Sequence, residues 1–151
     1  MTPTETPLSG RAGPIMVVDD DEMARELAVR YLQKLNLRNQ VLQAGDGAAA
    51  IEALRAMEVA PSLVLLDLDM PVRSGLDVLC WLRSGSALAH VPVVMLTASA
   101  TLDDIDEAYR LGIASYLVKP VGFSALSDVL RALALPWVLL EPSAGHGPLP
   151  A

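Results

Sequence analysis

The sequence has little of what several classes of protein require. Its 151 residues include one cysteine, Cys80, so no disulfide can form within the chain, which is typical of proteins from a reducing compartment. Acidic residues outnumber basic ones by 18 to 11, and no stretch is rich in lysine or arginine. Because such a surface does not attract nucleic-acid phosphates, nucleic-acid binding is not expected.

Long apolar segments are missing as well. Residues 1–14 contain Glu5, three prolines and no apolar core, so they do not form a signal peptide. The longest apolar run near the C-terminus, Ala132 to Leu140, is interrupted by Pro136 and is far too short to span a bilayer. Since 52% of the residues are hydrophobic and 19% are charged, the composition predicts one soluble, cytoplasmic domain with no membrane partner.

Apolar patterning divides the chain into five strand–helix pairs. The predicted strands are continuously apolar runs, at 14–18, around 41–42, and at 62–66, 91–96 and 115–118. The predicted helices carry apolar residues at helical spacing, at 22–35, 48–57, 75–83, 101–112 and 123–135. Buried strands that alternate with helices form a parallel sheet covered on both faces. The predicted fold is therefore α/β, a doubly wound, flavodoxin-like sheet of five strands in the order 2-1-3-4-5.

The predicted domain occupies residues 14–135, between a flexible tail at 1–13 and an extension with a tail at 136–151. Trp137 and the aliphatic residues beside it are too apolar for a free tail, so they either fold back on the domain or form part of an interface. Cys80 and Trp81 are predicted to be packing residues on the third helix. His90 and His146 are predicted to be solvated.

Polar residues of potential chemical use directly follow the predicted strands. Asp19 and Asp20 follow the first strand, Asp67 the third, Thr97 the fourth and Lys119 the fifth. The carboxyl ends of parallel strands share one edge, and ligands bind there at the switch point, between strands one and three. Each residue alone is more often a helix cap, a turn residue or a solvated side chain, but five at one edge indicate a functional site.

Three carboxylates in one pocket need a compensating positive charge. Lys119 supplies an ammonium group, and a set of oxygen ligands suits Mg2+, or alternatively Mn2+, rather than zinc. A metal ion, this lysine and the Thr97 hydroxyl around a free carboxylate are suited to binding a phosphoryl group. Asp67 would then attack the phosphorus in line.

These residues lie in motifs that resemble the receiver domain of two-component response regulators. The motifs are VVDDDE at 17–22, LLDLDMP at 65–71 with Gly75, VMLTA at 94–98, and YLVKP at 116–120. The resemblance covers about residues 14–135, in matching order and spacing. Although each motif alone is weak, together they are specific for this family.

The resemblance implies that Asp67 is the phosphoacceptor. It also implies that Asp20 and Asp67 bind Mg2+ through their carboxylates, that Asp19 helps through a water molecule, and that Asp69 offers its backbone carbonyl. Position 69 carries an acid where many relatives have asparagine or another residue. This extra negative charge is expected to alter the lifetime of the phosphoryl group, in a direction that the sequence leaves open.

For the response to phosphorylation, the resemblance implies that Lys119 pairs with the phosphoryl group. Thr97 would move toward that group and Tyr116 would follow inward, which changes the surface of strands four and five and helix four. The resemblance also implies that the Lys119–Pro120 peptide bond is cis, although cis bonds before proline are uncommon in general.

The predicted function is that of a stand-alone response regulator, which is not an enzyme beyond its own phosphorylation and dephosphorylation. Its phosphodonor would be a sensor histidine kinase or a histidine phosphotransfer protein. The segment around Trp137 is similar to an extension of regulators that partner bacterial phytochrome kinases. A homodimer through helix four, strand five, helix five and residues 136–141 is the corresponding hypothesis.

Two other functions stay open at this point. The first is a receiver-like scaffold that acts without phosphorylation, against which the complete set of acids argues. The second is a phosphatase of the haloacid-dehalogenase type, since Asp67-Leu68-Asp69 resembles its nucleophile motif. That family places an acidic pair after the lysine, whereas the pair here lies at 19–20.

Overall fold

The computed structural model describes residues 13–35, 37–85, 87–98 and 102–133. The predictions for residues 1–12 of the N-terminal tail, for Thr101 at the start of the fourth helix, and for the extension at 136–151 with Trp137 and His146 lie outside the described residues. Within the described part of the chain, strands and helices alternate in five βα units.

The five strands form one parallel sheet in the order β2-β1-β3-β4-β5, as predicted. Their bounds are Ile15–Val18 (β1), Val41–Ala44 (β2), Leu63–Asp67 (β3), Val93–Thr97 (β4) and Ser115–Val118 (β5). The three central strands are wholly buried, and the two edge strands are partly exposed. This difference explains why the central strands have the longest apolar runs.

β3 and β4 each extend one residue further than their apolar runs predict. Asp67 pairs with Leu96 and Thr97 pairs with Val118, so these two polar residues continue the sheet. Because they end their strands, their side chains lie at the edge of the sheet where the carboxyl ends of all the strands meet.

The five helices are Glu22–Lys34 (α1), Gly47–Ala56 (α2), Gly75–Ser84 (α3), Leu102–Arg110 (α4) and Phe123–Leu133 (α5). Asp21 caps α1 by accepting hydrogen bonds from two backbone amides of the first turn, and Asp46 caps α2 by accepting one from the Ala49 amide. Ser74 forms a capping box with Asp77 at the start of α3. Each capping residue lies in a loop at the same edge of the sheet as Asp67.

The helices cover the sheet on both faces, since alternate strand residues pack on opposite sides. Met16, Val18 and their neighbours pack against α2, α3 and Ala108 of α4. Ile15, Val17 and their neighbours pack against α1 and α5. Burying each large aliphatic side chain contributes about 1.5–3 kcal/mol, so the two layers fix the sheet between them.

The prediction that Cys80 is a packing residue is wrong, because its side chain is exposed. Leu79 and Leu82 are the inward residues of α3, and the helical repeat turns the position after Leu79 toward solvent. Trp81 is partly buried against the core, and His90 is exposed, as predicted.

No helix in the described ranges combines the length and the apolar character that a membrane span requires.

Candidate functional site

The sheet brings the predicted acids together at one edge. Val18 of β1 pairs with Leu66 of β3, so the residues that follow them, Asp19 and Asp67, lie side by side. One carboxylate oxygen from each of Asp19, Asp20 and Asp67 can be chosen so that all three lie within 4.8 Å of one another. Asp19 and Asp67 are each only 1% exposed, whereas Asp20 lies open to solvent.

Lys119 reaches the two buried acids from the end of β5. Its Nζ lies 2.8 Å from Oδ2 of Asp19 and 3.3 Å from Oδ1 of Asp67. The backbone amide of Lys119 donates to the carbonyl of Thr97 at 2.7 Å, which fixes the start of the side chain. The following Lys119–Pro120 peptide bond is cis, as predicted.

The four oxygens of the buried acids differ in their partners. Asp19 uses both of its oxygens, since Oδ1 accepts from the Asp21 amide at 2.9 Å and Oδ2 pairs with Lys119. Oδ1 of Asp67 accepts from the Asp69 amide at 3.1 Å as well as from Lys119. Oδ2 of Asp67 is buried and has no hydrogen-bond partner among the described residues. A buried acceptor without a partner costs about 1–3 kcal/mol, so this oxygen would gain from a bound group.

Burial and the nearby charge of Asp19 raise the pKa of Asp67 from 3.8 to about 7. The charge and hydrogen bond of Lys119 and the amide of Asp69 act in the opposite direction but do not outweigh them. Burial lowers the pKa of Lys119, but its hydrogen bonds to the two acids and their charges overcome this effect and raise it. Lys119 is therefore charged, whereas Asp67 is protonated in part of the molecules near neutral pH.

The three acids fit a divalent cation. All the donors are carboxylate oxygens, which hard cations such as Mg2+ prefer. Oxygens bound to one octahedral Mg2+ ion at about 2.1 Å lie about 3.0 Å apart when adjacent and about 4.2 Å apart when opposite, so oxygens up to 4.8 Å apart would have to move closer to bind one ion directly. The unpartnered Oδ2 of Asp67 is an acceptor oxygen that no other group in the described chain uses.

Thr97 and Asp69 lie beside these acids. The Thr97 side chain is fully buried, and its hydroxyl donates to Oδ2 of Asp69 at 3.4 Å. The same oxygen accepts from the Ala98 amide at 3.3 Å. Sequence reasoning assigned metal binding to the Asp69 carbonyl and an effect on phosphoryl lifetime to its charge, but no local pattern shows that this side chain crosses to the next strand.

Tyr116 is half-buried on β5, and its ring packs edge-on against the ring of Tyr109 on α4, with centroids 6.3 Å apart. This aromatic pair therefore connects β5 with α4, two of the elements whose surface was predicted to respond to phosphorylation. Thr97, Lys119 and the three acids lie at the sheet edge. Tyr116 lies further from this edge, since it pairs with Met95, two residues before Thr97 on β4.

Arg25 is a site residue that sequence reasoning missed. Its Nη1 donates to the backbone carbonyl of Asp19 at 2.7 Å, and its Nε donates to Oε1 of Gln43 at 3.1 Å. The guanidinium thus binds the peptide unit that joins Asp19 to Asp20. A positive residue in the first turns of a helix opposes the helix dipole, and this was the one signal in the sequence that could have identified it.

Comparison with known proteins gives a consistent result. Residues 15–131 match the family model of the response regulator receiver domain. The chain is 33% identical over 135 residues to the probable methanogenesis regulatory protein FilR2 of Methanothrix harundinacea, covering 87% of each. It is 34% identical over 116 residues to the chemotaxis protein CheY-3 of Vibrio cholerae, covering 77% of this chain and 87% of that protein.

Solved structures of receivers share the fold. The bacteriophytochrome response regulator RtBRR has a TM-score of 0.77 and 36% identity, covering 86% of this chain and 82% of that one. The bacteriophytochrome response regulator AtBRR has a TM-score of 0.73 and 36% identity, covering 87% and 99%. The chain therefore belongs to the response regulator receiver domain family of two-component signalling.

Proposed function

We infer that this chain accepts a phosphoryl group on Asp67 from a histidine kinase or a histidine phosphotransfer protein. The observation that carries the inference is the buried, unpartnered Oδ2 of Asp67 beside the charged Lys119. Receiver domains are signalling domains rather than classical enzymes, and membership of this family does not favour the phosphatase alternative.

In the proposed transfer, Oδ2 of Asp67 attacks the phosphorus of a phosphohistidine. The new oxygen–phosphorus bond forms as the phosphorus–nitrogen bond breaks, and the imidazole leaves with the electron pair and takes up a proton. Lys119, which lies 3.3 Å from the other oxygen of Asp67, would neutralise charge on the phosphoryl group. The buried hydroxyl of Thr97 would donate to a phosphoryl oxygen.

The proposed ligands of a Mg2+ ion are the carboxylates of Asp20 and Asp67, Asp19 through a water molecule, and the backbone carbonyl of Asp69. When bound, the ion would supply positive charge that favours ionised Asp67 and balances the incoming phosphoryl oxygens. Lys119 alone gives incomplete compensation, because it shares its charge with Asp19 at the shorter distance of 2.8 Å.

A groove beside the site supports docking of the phosphodonor. It lies between α1 and α5, has a volume of about 580 Å3, and reaches from Asp19 and Lys119 along the first turns of α1. Met23 and Leu27, both exposed, line it with the half-buried Val121. An exposed apolar lining next to the acceptor suits a helix of the partner protein that carries the phosphohistidine.

We also infer that phosphorylation acts on the surface formed by β4, β5 and α4, through Thr97 and Tyr116. Tyr109 and Val118 are about half exposed there, so this surface has apolar residues for a partner. The proposed receiver unit is 14–135. The proposed homodimer contact through residues 136–141 lies outside the described residues and is tested by light scattering of a Trp137→Ala, Leu140→Ala variant.

The deciding experiment uses a small phosphodonor, acetyl phosphate, with and without Mg2+. The expected result is one added phosphoryl group, located on Asp67 by peptide mass spectrometry and formed only when Mg2+ is present. Asp67→Asn should abolish it, while Asp46→Asn, which removes an exposed capping acid of α2, should not. Phosphoryl transfer to another residue, or equal labelling of the Asp67→Asn variant, would refute the proposed function.

A further inference from the structure

The side chain of Asp69 connects the ends of two neighbouring strands. Its backbone amide donates to Oδ1 of Asp67 at 3.1 Å, so the backbone of Asp69 lies beside the proposed phosphoacceptor. Its carboxylate then extends to β4, where Oδ2 accepts from the Thr97 hydroxyl at 3.4 Å and from the Ala98 amide at 3.3 Å. One anionic oxygen therefore has two donors from consecutive residues.

These two donors are suited to any anionic oxygen. A hydroxyl and a backbone amide that converge on a carboxylate oxygen can bind a phosphoryl oxygen in the same manner, since both acceptors are charged. Both donors also lie at the end of β4, the strand that pairs with the strand carrying Asp67. The unphosphorylated protein thus already has an anion in contact with the Thr97 hydroxyl, which the proposed function assigns to a phosphoryl oxygen, and with the neighbouring Ala98 amide.

We propose that the carboxylate of Asp69 is an internal competitor of the phosphoryl group, which holds Thr97 and Ala98 in their unphosphorylated positions and slows phosphorylation of Asp67. The proposal rests on the proposed function and concerns the rate of phosphorylation, whereas the sequence predicted only an effect of position 69 on the lifetime of the phosphoryl group. Phosphorylation would require Thr97 and Ala98 to exchange this carboxylate for a phosphoryl oxygen. The exposed Asp69 side chain can turn into solvent when they do so.

Charge strengthens the competition. An aspartyl phosphate brings about two negative charges into a site that already contains Asp19 and Asp20. The carboxylate of Asp69 would repel the phosphoryl oxygens for as long as it stays bound to Thr97 and Ala98. Removing this carboxylate should therefore favour both the arrival of the phosphoryl group and the movement of Thr97.

The test compares acetyl phosphate labelling of the wild type, Asp69→Ala and Asp69→Asn at saturating Mg2+. In this reaction Oδ2 of Asp67 forms a bond to phosphorus as the bond from phosphorus to the acetate oxygen breaks, and acetate leaves with the electron pair. Thr97 and Ala98 must give up two long hydrogen bonds to the Asp69 carboxylate before they can bind the phosphoryl group, which should slow labelling of the wild type by about tenfold. Asp69→Ala lacks these bonds and should be labelled about ten times faster. Asp69→Asn should give a smaller increase, because its amide oxygen can still accept but is uncharged.

Two controls separate the proposed contact from a general loss of charge. Asp103→Asn removes an exposed acid from the first turn of α4 and should leave the labelling rate within about twofold. In a Thr97→Val background, Asp69→Ala should lose part of its effect, since one of the two donors is already missing. The amide signal of Ala98 in unphosphorylated, Mg2+-free protein should shift in Asp69→Ala and stay in place in Asp103→Asn.

Each outcome has a distinct meaning. If the wild type gains no phosphoryl group on Asp67, the proposed function itself fails. If the wild type is labelled but Asp69→Ala is no faster, or Asp103→Asn is equally fast, the proposed function stands and the competition by Asp69 is overturned. An Asp69→Ala effect that is unchanged in the Thr97→Val background would also overturn it.

Discussion

Replacing Asp67 with asparagine should stabilise the metal-free protein at alkaline pH, although it removes the proposed phosphoacceptor. Asp67 is 1% exposed, its Oδ2 has no hydrogen-bond partner in the described chain, and Asp19 lies beside it. Burial and this neighbour raise the pKa of Asp67 from 3.8 to about 7. Ionising the carboxyl in the folded protein therefore costs more than in the unfolded chain, and asparagine avoids that cost.

The magnitude follows from the pKa. Each pKa unit corresponds to about 1.4 kcal/mol, so the cost at pH above 7 is about 4 kcal/mol. Between pH 3.8 and about 7 the folded state holds more protons than the unfolded state, so the free energy of unfolding falls as the pH rises. At a pH of about 5, about 2 kcal/mol of this cost is already present. The advantage of Asp67→Asn should thus grow by about 2 to 3 kcal/mol between a pH of about 5 and a pH of about 8.

The assay is urea unfolding followed by far-UV circular dichroism, in a chelator, at both pH values. Asp103→Asn, which removes an exposed acid, is the control and should follow the pH dependence of the wild type. Adding Mg2+ at about 100 times its Kd should raise the stability of the wild type by about 2.7 kcal/mol, and should raise that of Asp67→Asn far less. A stability difference between wild type and Asp67→Asn that does not change with pH would refute this reasoning, as would a less stable variant at a pH of about 8.

Three further predictions test other parts of the site. Arg25→Gln and Arg25→Lys should both weaken Mg2+ binding, measured by calorimetry, by about threefold to tenfold, because each loses the guanidinium contact with the Asp19 carbonyl. If charge alone mattered, Arg25→Gln would bind Mg2+ more tightly and Arg25→Lys would be unchanged. Gly75→Ala should lower the free energy of unfolding by about 3 kcal/mol, because its Cβ would clash with the carbonyl oxygen of Asp67. Gly122→Ala, whose Cβ would meet nothing within 4 Å, is the matched control and should change stability by less than about 0.5 kcal/mol. Met23→Glu should slow phosphotransfer from a histidine kinase but not from acetyl phosphate, since Met23 lines the groove rather than the acidic site. Equal slowing with both donors would count against docking in the groove.

The fold could be predicted from the sequence because two simple patterns agree. Apolar strands alternate with amphipathic helices, and the polar residues that end each strand must then meet at one edge. Element bounds were less accurate where a polar residue continues a strand, as Asp67 and Thr97 do. The second helix was predicted to begin at residue 48, but α2 begins at Gly47, where an added Cβ would lie 2.7 Å from Cβ of Arg73.

The side-chain contacts that cross between loops could not be predicted from the sequence. Asp19, Asp67 and Lys119 were predictable because strand ends fix their backbones. The Asp69 carboxylate reaches Thr97, and Arg25 reaches Asp19, only through the shapes of the intervening loops. Neither contact is marked in the sequence by a periodic pattern or a motif. Both nevertheless act on the residues that the motifs identify.

The position of Lys119 explains why an additional cation should matter to this acceptor. Lys119 lies closer to Asp19, at 2.8 Å, than to Asp67, at 3.3 Å, so its charge does not offset the burial of Asp67. Near neutral pH a carboxyl with a pKa of about 7 is protonated in about half of the molecules, and a protonated carboxyl is a poor nucleophile. A cation that binds Asp20 and Asp67 would favour the ionised form and offset the cost of burying it. The same event would therefore stabilise the fold and prepare Asp67 for attack, so adding Mg2+ should raise both the stability and the phosphorylation rate of the wild type.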